Sequence, residues 1–386
     1  MTKSLDQSAL EITTEEEYRA LTRSLRRRKG FGIVFVKCTP VGGKELIPKV
    51  ETDLPNKNIG VLELDAPIDN LIERVAALPN QEQLNIVFIS GLEKSLVEYI
   101  RPGYGGVGDY YKLDTVPPIL NHLNWQRENF RDLFRHLCFV FLLPPFAVKY
   151  ILHRAPDFAD WRSGIVDVPT DRQMIEQETN RLSLEGDVKK YSQWTEQQRL
   201  ERISEIQAYL TENPDLERAA SLWFEQGNIL AANKDYEAAV SGFDQAIKAR
   251  LSSKVSTIKG FHEAWYNRGI ALKNLGRLEE ALTSYEKALD IKPDKDEAWY
   301  NRGNALFNLG RLEEAIASYE KALDIKPDKD QAWNNRGIAL FNLGRLEEAI
   351  ASYEKALDIK PDYHEAWNNR GIALKNLGRL EEAIAS

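Results

Sequence analysis

The sequence predicts two parts built on different rules: an α/β domain around a parallel sheet, followed by an all-α solenoid. Three observations predict this. The runs FGIVFVK (31–37), IGVLELD (59–65), LNIVFIS (84–90), LCFVFLL (137–143) and GIVDVP (164–169) are almost continuously apolar, as strands buried on both faces of a parallel sheet are. Helical patterns separate these runs (KELIPKVETDL, PIDNLIERVAAL, GLEKSLVEYI with the long PILNHLNWQRENFRDLF, and PFAVKYILHRA), the alternation that builds a parallel α/β sheet. Further on, tryptophan returns every 34 residues at Trp265, Trp299, Trp333 and Trp367, and Pro293, Pro327 and Pro361 keep the same step.

The domain boundaries follow from these patterns. Residues 1–30 form a helix with a basic end, and 31–170 form the α/β domain. Residues 171–217 are a charged helical linker containing EQQRLERISEIQAYL. Residues 218–386 form the repeat array, with one degenerate repeat, three complete repeats from about residue 262 and one truncated repeat. A chain of 386 residues is long enough for two or three domains with real cores.

Composition narrows the function. A net charge of −8 offers no general attraction to nucleic acid or an anionic membrane, which a basic footprint would supply. The one basic cluster, RSLRRRKG (23–30), follows the acidic TTEEEYRA and suits the negative end of a helix dipole. Cys38 and Cys138 make no disulfide framework, and the chain opens on a polar, acidic stretch; both predict a cytoplasmic protein. LCFVFLLPPFAVKYIL (137–152) is too short to span a bilayer comfortably and is broken by Pro144 and Pro145, so it reads as a strand followed by a helix. The five histidines have no metal-ligand spacing with the cysteines. GYGGVGD (103–109) reads as a loop. Asp157, Asp160 and Arg162 in APDFADWRSG read as a capped turn anchored by Trp161 rather than an acid–base set.

Each 34-residue unit encodes a helix pair. Trp265, Gly269 and Leu272 form one stripe of the first helix, where Gly269 and Ala271 admit a close partner. Gly276 caps the turn in the left-handed region. Ala281, Tyr285 and Ala288 face inward from the second helix, and Pro293 ends it. These residues resemble the tetratricopeptide repeat (TPR) family over Phe261–Ser386, so the fold expected is a TPR solenoid. A weaker copy is visible in Trp223, Gly227, Ala239, Phe243 and Ala246, separated from the next repeat by LSSKVSTIKG. Arginine stands before the glycine (Arg268, Arg302, Arg336, Arg370), where the family usually places leucine. Its stem is expected to run along the core while the guanidinium reaches a carboxylate of the next helix.

First helices of stacked repeats line a concave groove. Asn267, Asn301, Asn335 and Asn369, each two residues after a tryptophan, would form a ladder along it. Amides donate and accept, which suits an extended peptide backbone; the ladder resembles that of peptide-binding TPR arrays. The alternative is that these amides bond between neighbouring repeats. Tyr266, Tyr300, Asn304, Phe307 and Phe341, with Asn334, Lys273 and Lys375, would complete the groove. The lysine-and-asparagine clamp of chaperone-binding arrays is not reproduced, because tyrosine or asparagine follows each tryptophan.

FVKCTPVGGKELIPKV (35–50) has the outline of a phosphate-cradling strand–loop–helix, with Gly42 and Gly43 for close backbone approach and Lys44 to meet phosphate. Cys38 occupies the first glycine position and Glu45 the hydroxyl position, while Ser90 stands where an acid would help hold metal. Pro48 is expected in the early turns of the helix. With ISGLE, LNWQRENF, FVFLLPP and APDFADWRSGIVDV, this stretch resembles bacterial STAND-type, AAA-like P-loop ATPase domains over about residues 10–170. These include inactivated versions fused to TPR arrays. The resemblance implies a P-loop-NTPase-like fold used as a regulatory or docking module. The reading is a non-enzymatic scaffold that needs no cofactor or metal and binds a protein or peptide in its TPR groove, with no nucleic-acid or membrane partner. The alternative is a signalling switch that binds ATP or GTP through Gly42, Gly43 and Lys44.

Overall fold

The computed structural model describes residues 2–101, 110–111, 114–183, 188–212, 215–252 and 261–384, in two compact units, Met1–Asn233 and Lys234–Ser386. The glycine-rich 103–109 segment lies outside the described residues. The division falls beyond the 217/218 boundary read from sequence, because the helix Leu216–Ala232 groups with the first unit.

The first unit opens with α1 (Thr2–Arg27), whose last turn carries Arg26 and Arg27. β1 (Gly32–Lys37), α2 (Pro40–Asp53), β2 (Ile59–Glu63), α3 (Leu71–Ala76) and β3 (Ile86–Ser90) follow, then the short antiparallel pair β4 (Ile100–Arg101) and β5 (Tyr110–Tyr111). Next come α4 (Pro118–Trp125), α5 (Arg127–Leu133), β6 (Cys138–Leu143), α6 (Pro145–Arg154), α7 (Pro156–Ala159) and β7 (Arg162–Asp167). Helices α8 (Arg172–Ser183), α9 (Val188–Tyr191), α10 (Glu196–Thr211) and α11 (Leu216–Ala232) complete the unit.

The five expected strands form one parallel sheet in the order β2-β3-β6-β1-β7. Its interior strands are apolar throughout because both faces are covered. Ile33, Phe35, Val87, Ile89, Phe139 and Phe141 pack into one core cluster. Their alternates Val34, Val36, Ile86, Phe88, Val140 and Leu142 pack into another. The edge strand β7 instead alternates between half-buried and exposed residues. Trp161 meets Phe31 edge-on at 6.0 Å, which fixes the turn before β7.

Three local readings need correction. PILNHLNWQRENFRDLF is two helices, broken where Gln126 leaves the helical region (φ −97°, ψ 9°), so that Leu123 and Phe130 both reach the core. GLEKSLVEYI forms only a single 3₁₀ turn, Leu92–Ser95. It is set by Gly91 at φ +83°, where a Cβ would come within 2.0 Å of the Leu64 carbonyl oxygen. Pro48 lies inside α2 rather than in its early turns. The Lys44 carbonyl therefore loses its helical donor, on a face where Lys44 is exposed and water can replace it.

The second unit is all helix: α12 (Tyr236–Ser252), then the pairs α13 (His262–Asn274) with α14 (Leu278–Ile291), α15 (Asp296–Asn308) with α16 (Leu312–Ile325), and α17 (Asp330–Asn342) with α18 (Leu346–Ile359). α19 (His364–Asn376) and α20 (Leu380–Ile384) follow. Gly276, Gly310, Gly344 and Gly378 turn each pair at φ between +74° and +84°. Within a pair, the glycine after the arginine lets a fully buried tyrosine ring lie against the facing backbone. A Cβ on Gly269, Gly303 or Gly337 would sit 2.5–2.6 Å from Tyr285, Tyr319 or Tyr353.

The arginines do not reach a carboxylate of the next helix. Arg302 bonds Glu286 Oε1 of the preceding helix at 3.0 Å and the buried Ser318 Oγ of the following helix at 2.6 Å. Arg336 repeats this with Glu320 at 2.8 Å and Ser352 at 2.6 Å. Arg268 does so with Asp244 at 2.6 Å and Ser284 at 2.6 Å. The following helix has a serine facing the guanidinium, so the charge partner comes from behind. Gly303→Ala should drive the Tyr319 ring from its seat and cost about 1–3 kcal/mol, an overpacking effect, read as a lowered urea midpoint of the second unit.

Candidate functional site

Helices α13, α15, α17 and α19 carry the asparagine series. Asn301 Nδ2 donates to Tyr266 Oη at 2.9 Å, and Asn335 Nδ2 donates to Tyr300 Oη at 3.1 Å and Asn304 Oδ1 at 3.0 Å. Asn369 Nδ2 donates to Asn334 Oδ1 at 3.1 Å. The ladder therefore ties each repeat to the one before it through its amide hydrogens, as the alternative reading has it, and any ligand would meet the remaining amide faces. Asn267 is half-buried at the start of the series. Burial pushes the Tyr266 phenol up to about 12, with Glu297 nearby adding to the effect, so the rung it forms with Asn301 stays neutral.

Across the first three tryptophan repeats lies a cavity of about 450 Å³ lined by Lys273, Asn304, Phe307, Asn308, Asn335 and Ile338. Leu278 and Tyr319 line it as well. Tyr319 Oη donates to Asn304 Oδ1 at 2.8 Å. Of the residues read as groove-lining, Lys273, Asn304, Phe307 and Asn335 thus meet in one cavity, Tyr300 touches it through Asn335, and Phe341 packs on the repeat core without being one of its walls. Ile338, Leu278, Asn308 and Tyr319 were missed. Ile338 was findable, because it stands 34 residues after Asn304.

A second concavity lies at the carboxyl ends of the sheet strands. It is a cavity of about 130 Å³ whose walls include Cys38, Gly43, Lys44, Glu63, Ser90 and Glu93. The expected loop is absent there. Thr39 caps α2 directly after β1, so Gly42 and Lys44 lie in the first turns of the helix. The Gly42 N–H is donated to Thr39 Oγ1 at 3.1 Å and the Gly43 N–H to the Thr39 carbonyl at 2.9 Å. A Cβ on Gly42 would meet Thr170 Oγ1 at 2.6 Å, so this glycine serves packing. Lys44 Nζ pairs with Glu63 Oε1 at 3.0 Å. Cys38 is buried, and burial pushes its thiol up to about 12, which leaves it unreactive.

Glu93 stands beside this cavity, with its Oε2 sealed from solvent and without a hydrogen bond. Burial raises its carboxyl to about 7; Glu201 on α10 adds to the rise, while Lys94 and the Gly91 and Glu93 backbone oppose it. Among the described residues no group of three or more His, Cys, Asp or Glu is placed to hold a metal ion. No helix of the described residues is long and apolar enough to cross a membrane.

The helix pairs define tetratricopeptide repeats. Tetratricopeptide-repeat family models match residues 226–296, 266–330 and 318–351, and a TPR repeat model matches 339–378. Among curated proteins, the chain is similar to "Protein STIP1 homolog" of Dictyostelium discoideum, 41% identical over 69 residues, 18% of this chain and 11% of that protein. The chain thus spans about a tenth of the length of the curated relative it matches. Similar solved structures include YrrB, described as a TPR protein with an unusual peptide-binding site (23% identity, 51% of this chain and 90% of that one, TM-score 0.41). MamA from Desulfovibrio magneticus RS-1 is another (22% identity, 43% and 90%, TM-score 0.40).

A raised carboxyl in the folded state means the neutral form is favoured there. Its contribution is full below the ordinary carboxylate range and is lost as pH rises toward 7. Glu93→Gln should therefore unfold at the same urea concentration as the parent near pH 4.5 and at a higher one at pH 8. Equal midpoints at pH 8 would contradict the burial described.

Proposed function

We propose that this protein is a non-enzymatic interaction scaffold whose TPR groove binds an extended peptide or partner segment. The observation that carries the reading is the convergence of Lys273, Phe307, Asn335 and Ile338, from three consecutive repeats, on one cavity that pairs amides with an aromatic wall. An open, largely pre-formed concavity of apolar walls and a few placed polar groups is what a peptide segment requires. The N-terminal unit acts as an inactive, ATPase-like docking module. Its support is the sheet order, which keeps β1 inside the sheet with the α2 cap at its carboxyl end, the usual place for ligands in open α/β sheets. The nucleotide-switch alternative loses ground because the Gly42 and Gly43 amides are spent within α2 and Lys44 is held by Glu63. Two buried free thiols fit a reducing, cytoplasmic setting.

Random peptides displayed on phage and panned on the full chain provide the test. Enriched peptides should bind saturably, and Phe307→Ala should weaken them roughly tenfold, as loss of an aromatic anchor does, with helical circular dichroism unchanged. Phe341→Ala, one repeat on and outside the cavity walls, should leave binding intact. Absence of any enriched peptide, or equal binding by Phe307→Ala, would overturn the reading.

A further inference from the structure

The repeats are close copies of one another, so each serves as an internal control for its neighbours. At the residue after the repeat glycine, three of the four close copies carry isoleucine, at Ile270, Ile338 and Ile372, and the fourth carries asparagine, Asn304; the weaker copy carries Asn228. We infer that Asn304 sets the register of the groove's ligand and selects an acidic side chain flanked by an apolar residue. This inference rests on the peptide-groove reading and names the ligand chemistry of that groove.

A uniform array would hold an extended segment equally well at successive repeats, since each step offers the same contacts. Asn304 breaks that equivalence. Its Oδ1 is occupied twice, by the Tyr319 hydroxyl at 2.8 Å and the Asn335 amide at 3.0 Å. With the oxygen held inward, the Nδ2 group makes no hydrogen bond among the described residues. It is not sealed from solvent either, so its two donors are presented at the cavity wall. Lys273 lines the same cavity and has no carboxylate partner among the described residues, whereas Lys295 and Lys329 are paired with Glu263 and Asp296. Donors and an unneutralised cation together call for an acceptor that is also an anion. Phe307, Ile338 and Leu278 offer apolar surface beside it. A carboxylate side chain next to an apolar one satisfies both, and its pairing with Lys273 in a half-enclosed site retains more strength than an exposed ion pair.

Asn304→Ile tests this with little risk to the fold. The same isoleucine already stands in the neighbouring repeats, and Tyr285 beside Ile270 keeps a buried hydroxyl without a partner. Peptides enriched on the full chain are synthesised together with versions whose Asp or Glu is changed to Asn or Gln. They are then titrated against the parent, Asn304→Ile and Lys273→Met. The expected result is a shared acidic residue beside an apolar one, with binding weakened roughly tenfold by either variant or by neutralising the peptide, and weakened further by salt. Enriched peptides that lack an acidic residue, or that bind Asn304→Ile as tightly as the parent, overturn this inference while leaving the groove reading intact. If no peptide enriches at all, the groove reading itself falls.

Discussion

The array depends on the arginine that precedes each repeat glycine. Ser284, Ser318 and Ser352 are fully buried, and each hydroxyl donates back to the carbonyl four residues earlier, as Ser318 does to Glu314 at 2.8 Å. The same oxygen accepts from an arginine at 2.6 Å. The guanidinium also lies over its own tryptophan, at 5.7–5.9 Å from the ring centroid in the four repeats. One side chain thus ties its own helix to the helix before and the helix after. The outer carboxylate is half exposed and adds little; the bond to the buried serine matters more, because it is made away from water, where a hydrogen bond keeps more of its strength. A leucine, the residue more usual in the family, would fill the space but leave the serine without this partner.

A similar economy of donors governs the sheet edge. A phosphate site needs backbone N–H groups left free to converge on an anion. Here a threonine captures them: Thr39 caps α2 and is itself bonded to Thr170 Oγ1 at 2.5 Å in a buried pair. Glycine at position 42 is then required by the nearness of Thr170 rather than by a ligand. The residues that read as a damaged phosphate loop are a well-satisfied helix start. Gly42 and Gly43 pack closely against Thr170, Leu142 and Cys38, and Lys44 makes a surface ion pair with Glu63.

Legibility differed between the two units for a physical reason. Strand positions in the first unit could be read because each interior strand is buried on both faces, and a short apolar run rich in Val, Ile and Phe between helical stretches favours a strand over a buried helix segment. The helix break at Gln126 and the 3₁₀ turn after Gly91 depend on tertiary contacts with Leu123, Phe130 and the Leu64 carbonyl, which no local pattern encodes. In the repeats, the stripe of Trp265, Gly269 and Leu272 and the inward Ala281, Tyr285 and Ala288 followed from periodicity alone. The direction of the arginine did not, because periodicity places a residue on a face without saying which neighbouring helix that face meets. The asparagine ladder was ambiguous for the same reason: an amide can serve the groove or the next repeat, and the partner hydroxyls of Tyr266 and Tyr300 lie 35 residues away.

Repetition also determines where specificity can reside. Contacts that recur in every repeat, such as the glycine–tyrosine seat and the arginine staple, stabilise the solenoid but cannot distinguish one position along it from another. Departures from the repeat carry that information. Tyr266 and Tyr300 give way to Asn334 and Asn368, so the rung that accepts the Asn301 and Asn335 amides changes from a phenol to an amide at Asn369. Lys295 and Lys329 give way to Tyr363, which removes the cation lying over the preceding ring at 4.6 and 4.9 Å. These changes lie on the first helices or at their starts, on or next to the groove face, while the second-helix sequence LEEAIASYEKALDI of α16 is identical in α18. The shared residues therefore hold the solenoid together, and the residues that differ grade its groove along its length.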